Sequence, residues 1–265
     1  MMENMLFGRY VPAESLLHRM DPRSKLLIIF FFVCIIFIAN NGITYAFIAI
    51  YTFIMLTMSR IPARFLYKGL KPVIWLVIFT FLLQLFFTQQ GTLLYRLGPV
   101  KIYEEGLKQG LFISLRFLFL ILMTSLLTLT TTPIEITDGL ESLLNPLKKV
   151  RFPVHEMALM MSIALRFIPT LMEETDKIMK AQMARGVEFS SGPLKERIKA
   201  VVPLLIPLFV SAFKRAEELA VAMEARGYRG GEGRTKYRQL SWKTADSLQL
   251  LVLIALTVLL MLFRS

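Results

Sequence analysis

Residues 26–59 read LLIIFFFVCIIFIANNGITYAFIAIYTFIMLTMS, a stretch of 34 residues without one charged side chain. A helix that crosses a bilayer needs about 20 residues, with a range of roughly 17–25. Asn40, Asn41 and Gly42 divide the stretch, and such a run is typical of a tight turn. The stretch therefore predicts two membrane spans joined by a short turn, each slightly short for a bilayer.

Three further apolar segments have the length of a span, at about 72–88, 111–130 and 248–263. Two other apolar runs, at 154–168 and 201–213, are shorter than a span and indicate interfacial or buried helices. Pro203 and Pro207 are expected to break the second run. An alternative with seven spans stays open at this point. The segment between the third and fourth spans, residues 89–108, is expected to be a polar loop.

The composition supports a membrane protein. Hydrophobic residues make up 55% of the chain and charged residues 19%, against about 25% charged in a typical soluble domain. The chain has one cysteine, Cys34, so an internal disulfide and a thiolate metal site are excluded. His18 and His155 are far apart in the sequence, which argues against a histidine metal site. No catalytic, cofactor-binding or metal-binding residue is therefore predicted.

The distribution of Lys and Arg predicts the orientation of the five spans, because cytoplasmic loops are enriched in these residues. Basic residues are concentrated before residue 26, at 60–71 and at 133–246, while the turn at residue 40 has none. The N-terminus and residues 133–246 are thus predicted to be cytoplasmic. The predicted regions are a four-span part at 1–132, a cytoplasmic part at 133–246 and a last span at 247–265. The predicted fold class is all-α, a polytopic membrane protein with about five transmembrane helices and long cytoplasmic amphipathic helices.

Two helices of the cytoplasmic part end in the same way. Each has an apolar stripe at helical spacing, formed by Ile163, Phe167, Leu171, Ile178 and Gln182 in one and by Phe209, Phe213, Ala216, Ala220 and Met223 in the other. The helices end at Ala184-Arg185-Gly186 and at Ala225-Arg226-Gly227. One such end is explained by helix capping alone. Two copies favour a docking device, since Arg presents a planar fork of donors to carboxylates.

These ends belong to a series of motifs that runs along nearly the whole chain. The series comprises His18-Arg19-Met20-Asp21-Pro22-Arg23-Ser24-Lys25, Thr132-Pro133, Gly139-Leu140, Pro146-Leu147, Ala164-Leu165-Arg166-Phe167-Ile168-Pro169, Ala181-Gln182-Met183-Ala184-Arg185-Gly186 and Ala222-Met223-Glu224-Ala225-Arg226-Gly227-Tyr228. In order and spacing it resembles the transmembrane T component of energy-coupling factor (ECF) transporters. These are ABC-type importers of vitamins and other micronutrients in prokaryotes.

The resemblance implies a set of partners in the cell membrane of a prokaryote. Two ABC ATPase subunits would each receive one of the helix ends, through Arg185 and Arg226. A small membrane-embedded S component would bind the substrate, and the apolar faces of the two helices, then acting as coupling helices, would move it. ATP and Mg would bind the ATPases, and the lipid bilayer would surround the spans. No enzyme activity and no nucleic acid are implied for this chain.

Four further residues are candidates for a structural or coupling role. Asp21 and Arg23 precede the first span, where an interfacial helix start and a brace against the coupling helices are both open. Arg166 lies in an apolar run and predicts an ion-pair brace, with Glu135, Glu156, Glu173 or Asp21 as its partner. Pro169 belongs to the same central motif. Arg116, inside the fourth span, is expected to extend its side chain to the headgroups.

Three other functions compete with the coupling role. A membrane-embedded enzyme needs convergent acids, bases or nucleophiles, which the scattered Glu, Asp and His do not indicate. A standalone secondary transporter tends to have internal repeats, and none is visible in these spans. A nucleic-acid binder needs basic residues on one face, whereas acids are interleaved here. The chain also has no Gly-x-x-x-x-Gly-Lys-Ser/Thr sequence for binding ATP.

Overall fold

A computed structural model describes residues 10–88, 90–97, 100–189, 193–230 and 238–264. This part of the chain forms eight α-helices and one β-hairpin. The elements are α1 Pro22–Ile35, α2 Gly42–Ser59, α3 Ala63–Phe87, β1 Leu93–Leu97, β2 Val100–Tyr103, α4 Glu104–Thr130, α5 Pro133–Leu144, α6 Val154–Ala184, α7 Leu194–Ala225 and α8 Thr244–Leu262, with 3-10 helices at Ile36–Ile38 and Asn145–Val150. The all-α fold class is confirmed.

Five helices within the described ranges are long and apolar enough to cross a membrane, namely α2, α3, α4, α6 and α8. The predicted number of five is therefore confirmed, but two members of the set differ. The first predicted span corresponds to α1, which has only 14 residues before it tightens into a 3-10 helix of 3 residues. The run at 154–168, predicted to be too short, continues through Pro169 as the 31-residue α6.

Two helix starts in the first part of the chain follow from capping. Asp21 accepts a hydrogen bond from the backbone N–H of Arg23 and has Pro22 after it, so α1 begins there. Asn41 accepts from the N–H of Thr44, and the Thr44 hydroxyl accepts from the N–H of Asn41. This reciprocal capping box starts α2. The predicted separation of the first two helices at residues 40–42 is thus confirmed.

Two expectations about irregular structure are wrong. The segment 89–108 contains the antiparallel pair β1–β2, with Leu93 opposite Tyr103, and α4 already begins at Glu104. Glu104 and Glu105 favour a helix start there because acidic side chains stabilise the first turn of a helix. Pro203 and Pro207 do not break α7, which continues through both. A proline removes one backbone donor, and the bonds on either side keep the helix continuous.

The chain divides into two compact units, which we call the first unit (residues 1–143 and 240–265) and the second unit (residues 144–239). In the first unit, buried side chains of α1, α2, α4 and α8 form one core that includes Phe32, Ile48, Met123, Leu253 and Leu260. The second unit consists mainly of α6 and α7, which contact each other. The cytoplasmic location of residues 133–246 stays a prediction.

Close packing in the first unit depends on small residues in α4. A Cβ atom on Gly106 would lie 3.2 Å from the carbonyl oxygens of Gln84 and Thr88 in α3 and after it. A Cβ atom on Gly110 would lie 3.2 Å from Phe81 of α3. The Gly-x-x-x-Gly spacing therefore lets the backbones of α3 and α4 approach closely, as is common between membrane helices.

Candidate functional site

The second unit is built on an antiparallel pair of long helices. Residues 163–171 of α6 and 212–223 of α7 line one apolar groove of about 290 Å³. At one end of this groove, Glu174 accepts a hydrogen bond from Ser211 (2.9 Å) and forms an ion pair with Arg215. Because Glu174 follows the groove residues of α6 while Ser211 precedes those of α7, the helices run in opposite directions.

The predicted apolar stripes agree with this groove only in part. Ile163, Phe167 and Leu171 line it from α6, and Ala216, Ala220 and Met223 line it from α7. Phe209 and Phe213, predicted in the same stripe, are 60% and 73% exposed. The prolines at 203 and 207 lie just before them, and most apolar side chains of that half of α7 are exposed, although Leu204 is buried. The second unit thus presents an apolar surface besides its internal groove.

Both helix ends adopt the same backbone motif. In α6, the N–H of Gly186 donates to the carbonyl of Met183 and the N–H of Val187 donates to Gln182, both at 3.0 Å. In α7, the N–H of Gly227 donates to Glu224 (2.9 Å) and the N–H of Tyr228 donates to Met223 (3.0 Å). This is the Schellman pattern in both cases. Gly186 and Gly227 have φ angles of +86° and +73°, which a residue with a Cβ rarely adopts.

The caps leave the arginine side chains free of the helix bodies. Arg185 and Arg226 are the last helix-like residues, with nearly equal angles of φ −87°, ψ 6° and φ −87°, ψ 7°. All residues of Ala184-Arg185-Gly186 and Ala225-Arg226-Gly227 are exposed. Among the described residues, neither arginine forms an ion pair. The predicted capping of both ends is confirmed, and their docking role stays a prediction.

The two ends are also placed symmetrically about the helix contact. Arg185 lies eleven positions after Glu174, and Arg226 lies eleven positions after Arg215. Each interval is about 16 Å of helix at about 1.5 Å per residue. Because the helices are antiparallel, the arginines lie at opposite ends of the pair, on the order of 30 Å apart.

Two other predicted residues of α6 are on its surface. Arg166 is exposed, and within the described part of the second unit it forms no ion pair with Glu156 or Glu173. Pro169 is exposed inside the helix, which continues past it. The bracing role of both stays a prediction.

Asp21 and Arg23 lie in the first unit, where they form a bidentate ion pair. Arg23 donates from Nε and Nη2 to the two carboxylate oxygens of Asp21 at 3.0 and 2.9 Å. Burial alone would raise the pKa of Asp21, but the hydrogen bonds and charge of Arg23 hold the pKa below its ordinary value. Arg23 also lies over the ring of Trp242, and its Nη1 donates to Ser142 of α5 at 3.4 Å.

The ion pair is part of a larger buried cluster that the sequence did not indicate. Asp246, at the start of α8, accepts hydrogen bonds from the N–H of Asp21 (3.0 Å), the Ser24 hydroxyl (2.6 Å) and the N–H of Lys243 (2.8 Å). Lys25 donates to the carbonyl of Thr130 at 3.0 Å, at the end of α4. We call Asp21, Arg23, Ser24, Lys25 and Asp246 the polar junction. It joins the ends of α1, α4, α5 and α8.

Burial affects the charge of the junction. Lys25 is 6% exposed, and burial lowers the pKa of Lys25 to about 8, although Glu135, Asp246 and Asp21 oppose the shift. The sequence offers one signal for these two charged residues, which is their position at the beginning of an apolar helix. Lys25 lies in the first turn of α1, and Asp246 lies in the first turn of α8. Such residues are usually explained as interfacial anchors, which is how the sequence alone presents them.

Arg116 does not simply extend toward headgroups. Its Nη2 donates to the carbonyl of Ala39 at 3.2 Å, and its guanidinium lies 5.1 Å from the centre of the Phe37 ring. The side chain therefore ties α4 to the turn between α1 and α2, which corrects the expectation of free snorkelling. A charged, half-buried side chain within an apolar helix needs partners, and the carbonyl of Ala39 supplies one.

No group of three or more His, Cys, Asp or Glu that could hold a metal ion occurs within the described ranges.

The comparisons with known proteins point to transport. Residues 13–237 match the family model CbiQ, described as cobalt transport protein. The chain belongs to this family.

The match covers most of both units and both capped helix ends, and it stops before α8. Relatives of high identity extend over the full length of the chain. One is the energy-coupling factor transporter transmembrane protein EcfT of Bacillus subtilis (strain 168), which is 66% identical over 265 residues and 100% of both chains. The protein of the same name from Listeria innocua is 56% identical over 100% of both chains. That of Lactococcus lactis is 51% identical over 100% of this chain and 99% of its own.

The comparisons and the five apolar helices establish a multi-pass membrane protein of the CbiQ family. The resemblance to ECF T components predicted from the motifs is confirmed by these relatives.

Proposed function

We propose that this chain is the energy-coupling transmembrane subunit of an ECF-type ABC importer. In this role it transmits the ATP-driven motion of two ATPase subunits to a small membrane-embedded S component, which carries a vitamin or another micronutrient. The chain itself is not catalytic, and ATP and Mg bind the ATPases. Its N-terminus lies in the cytoplasm.

The observation that carries the proposal is the matched pair of arginine-bearing caps. Both expose one arginine beside an αL glycine, at opposite ends of two contacting helices. Two ends about equally far from one helix contact suit two subunits of similar shape. A capped helix end holds the arginine at a fixed place, so less conformational entropy is lost when the guanidinium meets carboxylates.

The helix pair supplies a route for motion between its ends. Apolar contacts along the groove and the Glu174–Arg215 ion pair join α6 to α7 near the middle. A force that changes the distance between the two arginine ends therefore changes the crossing of the helices. The outward-facing apolar side chains of α7, such as Phe209 and Phe213, are suited to carry that change to an apolar partner.

The proposal is tested by purifying the tagged chain from its native membranes in mild detergent and measuring the bound subunits by mass spectrometry. We expect two ABC ATPase subunits and a small hydrophobic protein. Arg185→Ala and Arg226→Ala each remove a charged, bidentate contact, which costs about 2–5 kcal/mol, or roughly 30-fold or more in the dissociation constant. The double variant is expected to lose both ATPases and substrate uptake.

Arg64→Ala is the matched control, because Arg64 is an exposed arginine near the start of α3, in the first unit. It should retain the ATPases. Normal assembly and uptake by the double variant would overturn the docking role. Recovery of the chain alone in several detergents, with no ATP-binding protein, would instead favour a standalone secondary transporter or a membrane-embedded enzyme.

A further inference from the structure

Residues 145–153, which connect α5 to α6, combine basic and apolar side chains on an open surface. We call them the 145–153 segment. All of its residues are exposed, including Leu147, Val150 and Phe152 at 41%, 78% and 41%. Lys148, Lys149 and Arg151 alternate with them, and no acidic residue occurs between Glu141 and Glu156. Apolar side chains exposed in this number call for a partner.

The conformation of the segment is fixed by its own backbone. The 3-10 helix Asn145–Val150 ends at Arg151, which has a φ angle of +61°. The N–H of Arg151 donates to the carbonyl of Lys148 at 3.0 Å, and the N–H of Phe152 donates to that of Leu147 at 3.3 Å. A left-handed conformation is uncommon for a residue with a side chain, so these bonds hold an otherwise unfavourable turn. The basic and apolar side chains are therefore presented in one preformed arrangement.

The charges of the segment are not neutralised within the described part of the chain. Lys148, Lys149 and Arg151 form no ion pair there, whereas Lys108 and Lys180 pair with acids four residues before them. Three positive charges within four positions favour an anionic partner. The apolar side chains between them favour one that also offers hydrocarbon, which excludes a purely polar polyanion.

Chain connectivity keeps the start of the segment within reach of the polar junction. Asn145 follows Ser142 by three residues, and Ser142 contacts Arg23 of the polar junction. The junction marks the level at which α1 begins and α4 ends, since Lys25 contacts Thr130 there. Three residues span at most about 10 Å, so the segment starts close to the end of the apolar helices.

We propose that the 145–153 segment binds acidic phospholipids, with Leu147, Val150 and Phe152 inserted among the acyl chains and the three basic residues at the phosphates. Amphipathic surfaces with Lys and Arg beside apolar side chains bind membranes in this way. The inference rests on the proposed function only for the leaflet, which is the cytoplasmic one.

The test uses the full chain in lipid nanodiscs made from phosphatidylcholine alone or with phosphatidylglycerol. Cys34→Ser removes the single cysteine, and Asn145→Cys places a fluorescent label in the segment without changing its basic or apolar side chains. Quenching by spin-labelled lipid reports contact with the bilayer. We expect strong quenching in the acidic discs, with a loss when salt rises from about 0.1 M to about 1 M, because screening shortens from about 10 Å to about 3 Å.

The deciding variant is Lys148→Gln/Lys149→Gln/Arg151→Gln. In acidic discs, the fluorescence of its label should be quenched no more than that of the parent protein in neutral discs. The control Lys195→Gln/Arg197→Gln/Lys199→Gln removes the same charge from exposed positions in α7 and should behave like the parent. Equal quenching in both lipids, or an equal loss in the control, would overturn the proposal. So would protection of the label only when ATPase subunits are added, since the partner would then be a protein.

Copurification of the ATPases is measured on the same variants. If the ATPases remain bound while the lipid dependence is absent, the lipid proposal alone fails. If the lipid dependence holds while Arg185→Ala/Arg226→Ala still assembles, the coupling proposal alone fails.

Discussion

Arg23 in the first unit is partly buried and gives two hydrogen bonds to one carboxylate, whereas Arg185 and Arg226 in the second unit extend from helix ends into the open. The surroundings differ in the same sense. Around Arg23, Asp246 and Lys25 tie together residues more than 100 positions apart in sequence. Around the other two, the bonds are local backbone caps. The polar contacts of the junction are thus internal, while the two arginines suited to a partner form no ion pair among the described residues.

We therefore expect the first unit to determine the stability of the fold and the second unit to determine assembly with partners. Changes in the polar junction should destabilise the fold, whereas changes at the caps should leave the fold intact and alter binding. Each experiment below measures both thermal unfolding in detergent and copurification of ATPase subunits.

Asp246→Ala is expected to have the largest effect on stability. The carboxylate is fully buried and accepts three hydrogen bonds, so its removal takes the acceptor from two buried donors, the N–H of Asp21 and the Ser24 hydroxyl, and from the part-buried N–H of Lys243. Breaking a buried polar network of this kind costs about 3–5 kcal/mol. Thermal unfolding should therefore shift strongly downward. Ser247→Ala, at the next and exposed residue, is the control. If thermal unfolding shifts no further in Asp246→Ala than in this control, the role of the junction is contradicted.

Lys25 should make the stability of the first unit depend on alkaline pH. The pKa of its ammonium group is about 8 in the folded chain and 10.5 when the side chain is free in water, so the unfolded chain binds more protons between these values. Stability therefore rises as pH increases from about 8 to 10.5, by about 3 kcal/mol in total.

Lys25→Met removes this titration and should unfold with a flatter dependence on pH. Other lysines contribute equally to both proteins, so the difference between the two curves isolates Lys25. Parallel curves across this range would show that the ammonium group is not the source of the dependence. His18 and Asp21 also face Lys25, and the pKa of each is lowered from an ordinary value that already lies below this window.

Gly186→Ala tests the caps with a smaller effect. The φ angle of +86° strains any residue with a Cβ, although a Cβ would meet no atom within 4 Å. The strain is about 1–2 kcal/mol and is confined to the helix end. ATPase binding should weaken while thermal unfolding stays nearly unchanged. Gly42→Ala, also in open space but without a positive φ angle, is the control and should affect neither.

Much of this division could be predicted from local sequence patterns. Apolar segments and turn residues locate most helices, and Ala-Arg-Gly indicates the two caps, because capping depends on a few neighbouring residues. The polar junction could not be predicted, since Asp21 and Asp246 meet only after 225 positions of chain have folded. Periodicity places Phe209 and Phe213 in the inner stripe because it identifies an apolar face but not what covers that face. The span status of α1 and α6 depends on where each helix ends, and prolines proved to be weak end signals.

The ion pair between Glu174 and Arg215 gives the smallest expected effect and the most specific test of the helix pair. Both side chains are partly exposed, at 22% and 32%, so solvent screens their attraction. A double-mutant cycle with Glu174→Ala and Arg215→Ala should therefore give a coupling of only about 0.5–1 kcal/mol in unfolding. Its consequence for transport should be larger than its consequence for stability, because the pair joins α6 to α7 midway between Arg185 and Arg226. We expect the variants to bind ATPases normally and to hydrolyse ATP with reduced substrate uptake. Uptake in proportion to bound ATPase would mean that the apolar groove alone couples the two helices.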